Sequence, residues 1–213
     1  MSSNDNPDHK GLSQLSQDSQ EIAKYYDDFA ANYDQTLEEW EYEAPEKIAA
    51  HLAQLIALDG EVLDVGCGTG LAGKALTAVG FQQIDGIDLS ASSLKLAAKH
   101  GIYRTLGEAD LQDLPLPQAS NSYDGIVCVG VLSYIADSRD LLREMCRVVR
   151  PGGAILLTHR TDHFDKQDYF SVVQTIADEG LWDVEVSEPR PYLPNHAEFA
   201  EHILARYVTG RVK

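Results

Sequence analysis

Between residues 62 and 70 the chain reads Val-Leu-Asp-Val-Gly-Cys-Gly-Thr-Gly, an apolar run broken by three alternating glycines, Gly66, Gly68 and Gly70. Glycine carries no Cβ and reaches positive φ at little cost, so a ligand can approach such a backbone closely. A helix beginning directly after it would turn its free N–H groups toward the same space. Three alternating glycines between a strand and a helix therefore predict a ligand loop. Asp88, in Gly-Ile-Asp-Leu-Ser, and Asp110, in Ala-Asp-Leu, follow the next two β-like runs. One carboxylate can accept two hydroxyl donors, which suits Asp88 to the vicinal hydroxyls of a ribose. Gly68, Gly70 and Gly73 also fit the spacing G-x-G-x-x-G of a dinucleotide loop. The register argues against that reading, because the first glycine off the strand is Gly66. Asp64 inside the strand end would also repel a pyrophosphate, and it suits a cationic ligand better.

These residues need a scaffold, and the hydropathy pattern supplies one. After Asp59-Gly60 the rhythm is strand, glycine turn, helix, repeated: strands at 61–65, 83–88, 102–106, 123–129 and 154–158, and helices at 71–79, 90–99 and 137–149. Alternation of this kind predicts an open parallel sheet with helices on both faces, whose ligands bind at the carboxyl ends of the strands. Pro151-Gly152-Gly153 should stop the helix before the fifth strand. A helix at 166–179 and strands near 182–188 and 203–209 read as an antiparallel ending. Upstream, Asp18 followed by Glu21 marks a helix start, with Ile22, Tyr25, Tyr26, Phe29 and Tyr33 on one face. A second helix begins near Pro45 and presents Ile48, Leu52, Leu55 and Ile56. The expected organisation is a loosely ordered tail at 1–17, a helical cap at 18–58 and a ligand-binding domain at 59–213.

The charge narrows the partners. The 34 Asp and Glu residues outnumber the 17 Lys and Arg, giving a net charge of -17, and residues 1–50 alone hold 12 acids against 3 bases. Such a surface repels nucleic acid and anionic membranes. The 3 cysteines fit neither a disulfide framework nor a metal site. Without an apolar leader or a span of 18 apolar residues, the expected location is the cytoplasm.

On these residues the sequence resembles the class I S-adenosylmethionine-dependent methyltransferases. VLDVGCGTG matches their first motif, while Asp88 in GIDLS, Asp110 in ADL and the PGG turn fall where later motifs lie. More narrowly, YYDDFAANYDQTL, GIDLS, VGVLS and LTHRT resemble the methyltransferase-like group associated with the Williams–Beuren region. The resemblance implies a Rossmann-like seven-stranded, mostly parallel sheet with helices on both faces, a C-terminal antiparallel hairpin and an N-terminal helical cap. It implies S-adenosylmethionine as cofactor and S-adenosylhomocysteine as product. The methionine end would lie near Asp64 and Gly66, with Cys67, Gly68 and Gly70 completing the loop; Cys67 itself reads as a small buried filler and not a nucleophile. The ribose would meet Asp88 and Leu89, and the adenine Asp110 and Leu111. Gly130, at the end of the fourth strand, would also contact the cofactor. Tyr33 would help cover the cofactor, where an aromatic ring suits a sulfonium.

Methyl transfer needs chiefly alignment, and a base only for a protonated acceptor. Tyr134 and His159 are the catalytic candidates, with His163 nearby, Arg160 available to an anionic group and Tyr192 to Phe199 as an acceptor-side wall. The expected partner is a small-molecule methyl acceptor, bound by a monomer or homodimer without metal. A protein methyltransferase, a dinucleotide-dependent oxidoreductase and a catalytically silent cofactor-binding scaffold are the competing readings.

Overall fold

The computed structural model describes residues 17–135, 137–196, 200 and 203–213; at residues 23 and 25–33 the backbone alone is described. The expected tail therefore lies outside the described residues except for Gln17, and so do the side chains of Tyr25, Tyr26, Phe29 and Tyr33.

Helix α1 (Ser19–Glu39) starts where the Asp18 carboxylate accepts the free N–H groups of Gln20 and Glu21. Helix α2 (Ala44–Leu52) has Pro45 in its first turn, where a missing N–H costs nothing. The sheet then assembles from β1 (Glu61–Val65), β2 (Gln83–Asp88), β3 (Thr105–Glu108), β4 (Tyr123–Cys128), β5 (Val149–Arg160), β6 (Trp182–Val186), the two-residue β7 (Arg190–Pro191) and β8 (Leu204–Val212). Helices α3 (Leu71–Val79), α4 (Ala91–Lys99), α5 (Arg139–Val148), α6 (Thr161–Phe164) and α7 (Tyr169–Asp178) connect them. The order is β3-β2-β1-β4-β5-β8-β6, with β7 beside β8. The first five strands are parallel, and β8 runs antiparallel between β5 and β6. The expected mostly parallel sheet with its antiparallel ending is thus present, and the short β7 adds an eighth strand to the expected seven.

Period-two alternation assigns the faces. Leu63 and Val65 of β1 join a core with α5 and α7, through Leu142, Met145, Val173 and Ile176. Val62 points the other way, to Ile48, Leu52 and Leu76 of α2 and α3. A small third cluster, Leu37, Leu193 and Ile203 with Tyr42 and Tyr192, ties the end of α1 to the segment before β8.

Three elements differ from expectation. Strand β3 starts at Thr105 and not Ile102, because Tyr103 and Arg104 are drawn to Asp64 and Asp85. Strand β5 reaches from Val149 to Arg160 and absorbs Pro-Gly-Gly as an irregularity: register runs from Tyr123↔Val149 to Gly125↔Ala154. A Cβ on Gly153 would stand 2.6 Å from the Asp124 carbonyl, so that bulge requires glycine. The helix expected at 166–179 starts later, at Tyr169, and runs to Asp178, and the separate short helix α6 precedes it.

Below the sheet, Asp85 accepts from Arg104 through both oxygens, from the Thr105 N–H and from the Tyr123 hydroxyl. Burial raises its pKa, but these donors outweigh burial and hold the carboxyl below its ordinary range. Glu61 is held low chiefly by Arg150, then Arg104. Depressed carboxylates stabilise the fold above their unfolded pKa, and that stability is lost as pH falls through the folded values. Urea denaturation should therefore show stability falling as pH drops below about 4. Arg104→Met should cost about 2 kcal/mol at pH 7 and flatten this acid limb.

Candidate functional site

The carboxyl ends of β1, β2, β3 and β4 surround a cleft enclosing about 710 Å³, the solvent at its mouth included. Gly66 and Gly68 form one wall, with φ of 73° and 52°. A Cβ at Gly66 would stand 2.3 Å from Val131 Cγ2, so the loop folds only with glycine there. At Gly68 a Cβ would meet nothing within 4 Å, which leaves that backbone open to a ligand. Asp88 stands at the centre. Its Oδ2 accepts the Gly68 N–H at 2.8 Å and its Oδ1 the Ser90 N–H at 2.8 Å, so one carboxylate holds the loops after β1 and β2 together. The open glycine backbone and this acid form a cradle that fits a nucleoside.

Leu89, Asp110, Leu111, Gly130 and Tyr134 also line the cleft. Asp110 accepts the Gln112 N–H at 2.9 Å, which curls the loop toward the cavity. The Gly130 N–H donates to Thr158 Oγ1 at 2.9 Å. Tyr134 sits in the single helical turn Leu132–Tyr134 after β4.

Three of the expected cofactor residues lie elsewhere. Asp64 shares the parity of Val62, so alternation turns it beneath α3 and out of the cleft. It is 1% exposed, Tyr103 donates to its Oδ2 at 2.7 Å, and Oδ1 has no hydrogen-bond partner. Burial pushes its carboxyl up to about 7. Cys67 is buried behind the loop, its sulfur facing the space a Gly86 Cβ would fill, and burial raises its thiol far above the usual range. That is the filler role expected of it. Gly70 takes φ 101° as the N-cap of α3. The side chain of Tyr33 is outside the described residues.

His159 must be reassigned. Because β5 continues to Arg160, alternation places Thr158 beside Gly130 and turns His159 to the opposite face. There it is 1% exposed, with Nε2 3.0 Å from Gln167 Oε1 and edge-on packing to Tyr169 and Phe164. Burial pushes it down to about 4, so the ring is neutral at pH 7 and serves the core. Arg160 is held by Asp162 at 3.1 and 2.8 Å and stacks 5.9 Å from the Tyr192 ring centre. His163 lies 3.7 Å from Asp162. Of the expected acceptor wall, Tyr192 packs on Tyr42 at 5.2 Å, while residues 197–199 are outside the described residues.

Sequence reasoning passed over the residues that brace the loop from behind and cover it from above. His100 Nε2 lies 3.1 Å from the Thr69 carbonyl, and Tyr103 occupies the space that side chains at Gly73 and Gly86 would need. Ser19 and Ile22 of α1 line the cleft. The glycine at position 73, read at first as part of a possible fingerprint, was the available signal for a bulky neighbour.

The strand order, the glycine loop and the acids after β2 and β3 together define a class I, Rossmann-like methyltransferase domain. A methyltransferase-domain family profile matches residues 63–157. The human methyltransferase-like protein 27 is 34% identical over 173 residues, covering 78% of this chain and 69% of that protein. A ubiquinone biosynthesis O-methyltransferase of Xanthomonas oryzae pv. oryzae is 29% identical over 136 residues; the match spans 56% of this chain and about half (54%) of that enzyme. The DhpI complex with S-adenosylhomocysteine has the same fold, with a TM-score of 0.67 at 20% identity, over 91% of this chain and 96% of that one. The chain belongs to the class I S-adenosylmethionine-dependent methyltransferases, in the family of methyltransferase-like protein 27. No helix among the described residues is long and apolar enough to cross a membrane.

Proposed function

We propose that the protein methylates a small-molecule acceptor by in-line displacement, with Asp88 as the anchor of the cofactor ribose. The observation that carries this reading is the open Gly68 backbone set beside the Asp88 carboxylate in the wall of the cleft. Bound S-adenosylmethionine supplies a methyl group already activated by positive sulfur. The chain's own task is then to hold and align. Gly66 and Gly68 admit the methionine end against the backbone, Leu89 flanks the ribose, and Asp110 and Leu111 receive the adenine. Asp64 acts from beneath the loop, where Tyr103 holds it. Gly130 borders the cofactor, while Tyr134 bounds the acceptor side and orients the nucleophile. Holding two reactants in line lowers the barrier by roughly 7 to 11 kcal/mol, and a base is needed only for a protonated acceptor. The net charge of -17 favours a small neutral or cationic acceptor over nucleic acid.

Thermal denaturation tests the cofactor site. S-adenosylhomocysteine at a hundred times its Kd should add about 2.7 kcal/mol and raise Tm by roughly 5 to 10 °C, and NAD should leave it unchanged. Stabilisation by NAD alone would refute the assignment. Incubation with methyl-labelled cofactor and separate metabolite, protein and RNA pools tests the acceptor. Label is expected among the metabolites; label confined to protein or RNA would replace the acceptor class, and no label in any pool would favour a silent scaffold.

A further inference from the structure

Helix α1 is fastened at both ends to residues that line the cleft. At its start, the Gln112 side-chain amide donates to the Gln17 carbonyl at 3.1 Å and to Ser19 Oγ at 3.0 Å. Toward its other end, Asp34 accepts the Thr69 hydroxyl on Oδ1 and the Lys74 ammonium on Oδ2 at 2.8 Å. Between these points Ser19 and Ile22 form part of the cavity wall, and the helix packs along α4. A ligand in the cleft therefore lies beneath a helix that is clasped at two places.

The two halves of the Asp34 contact differ physically. The Asp34 and Lys74 side chains are 36% and 40% exposed, and an exposed ion pair contributes little. Thr69 is 4% exposed and belongs to the glycine loop itself, between Gly68 and Gly70. Its hydroxyl donates to a charged acceptor in a part-buried bond, the stronger kind of hydrogen bond. The bond forms only when the loop and α1 are both in place.

We infer that Asp34 is a positioning residue for the cofactor: through Thr69 it couples the glycine loop to α1 and so sets how long the ligand is retained. This rests on the proposed cofactor site. Neither Asp34 nor Thr69 needs to touch the reacting atoms. Their contact makes loop order and helix closure a single event, with Lys74 as a minor, salt-sensitive contributor.

The test uses the full chain and S-adenosylhomocysteine as the probe, with association and dissociation followed by stopped flow. Asp34→Asn and Thr69→Val should each raise the dissociation rate about tenfold, equivalent to about 1.4 kcal/mol. The double variant should be no faster than either single one, because they remove the same bond. Lys74→Met should change the rate by no more than about threefold. Salt should accelerate release from the wild type more than from Asp34→Asn. Dissociation within twofold of wild type for both Asp34→Asn and Thr69→Val would overturn the coupling while leaving the cofactor site intact. A wild-type chain that binds no S-adenosylhomocysteine would overturn both. Hydrogen exchange of the ligand-free chain provides a second measurement should a variant bind too weakly for kinetics. Residues 19–39 should exchange faster in Asp34→Asn with β1 and β4 unchanged, and equal protection of α1 in both chains would refute the clasp.

Discussion

Replacing Asp88 by alanine is expected to weaken S-adenosylhomocysteine binding by about 30- to 100-fold, a loss of about 2 to 3 kcal/mol, because charged hydrogen bonds are removed from a partly enclosed site. The effect has two sources. The carboxylate receives the Gly68 and Ser90 N–H groups, so alanine releases the loops after β1 and β2 from each other. It also removes the acceptor assigned to the ribose hydroxyls. Asp88→Asn separates these contributions. Its amide oxygen still accepts one backbone N–H, while its NH2 group faces the other as a second donor. Asparagine should therefore recover only part of the affinity. Isothermal calorimetry decides the matter: wild-type affinity in the alanine variant would remove Asp88 from the site, and full recovery by asparagine would show that charge is not what binds.

The second large effect concerns stability. Asp64 is buried, and the Tyr103 hydroxyl and the Gly73 backbone N–H only partly offset the cost of burial. Its carboxyl is pushed from an ordinary value of 3.8 up to about 7. A raised carboxyl pKa means that the native state holds its proton more tightly than the unfolded chain. The associated stability is fully present below about pH 4 and is lost as pH rises through 7. At about 1.4 kcal/mol per unit, the difference approaches roughly 4 kcal/mol. Asp64→Asn keeps an oxygen for Tyr103 and has no charge to bury. Chemical denaturation should find the asparagine variant more stable than wild type at pH 8 and the advantage absent at pH 4. A constant difference across that range would mean that Asp64 is ionised throughout. The prediction opposes the Asp85 network, whose carboxyls fail at low pH, so the wild-type stability profile should be narrowed from both sides.

Much of this architecture was legible because local rules and the global fold agree. Leu71–Val79 between Gly70 and Gly80 and the helix capped by Ser90 form as their terminal residues dictate. The near-continuous apolar run at Tyr123–Cys128 is buried on both faces, as its composition requires. The glycine loop, Asp88 and Asp110 could be read because strand ends converge in any parallel sheet. Their chemistry depends on backbone and on short side chains at fixed positions.

His159 shows where such reading stops. A histidine near the expected end of a strand looks available to a ligand, but two further residues of pairing with β8, His159↔Arg206 and Arg160↔Ala205, keep it in the sheet. Alternation then decides its face, and the outcome is a core histidine. Asp64 follows the same rule. A shift of one residue reverses the side of the sheet a side chain meets, and strand termini are set by partners far along the chain.

By itself, the sequence determined the order of strands and helices, the glycine-lined loop and the acids that follow β2 and β3, since these depend on side-chain alternation, caps and backbone freedom within a few residues. Only the tertiary structure decided that Asp64 lies under the loop, that Tyr103 and His100 brace it, and that Asp34 closes α1 onto Thr69 across 35 positions. Those contacts come from surfaces brought together by burial of the shared core. No periodicity within a segment specifies which distant surface it will meet.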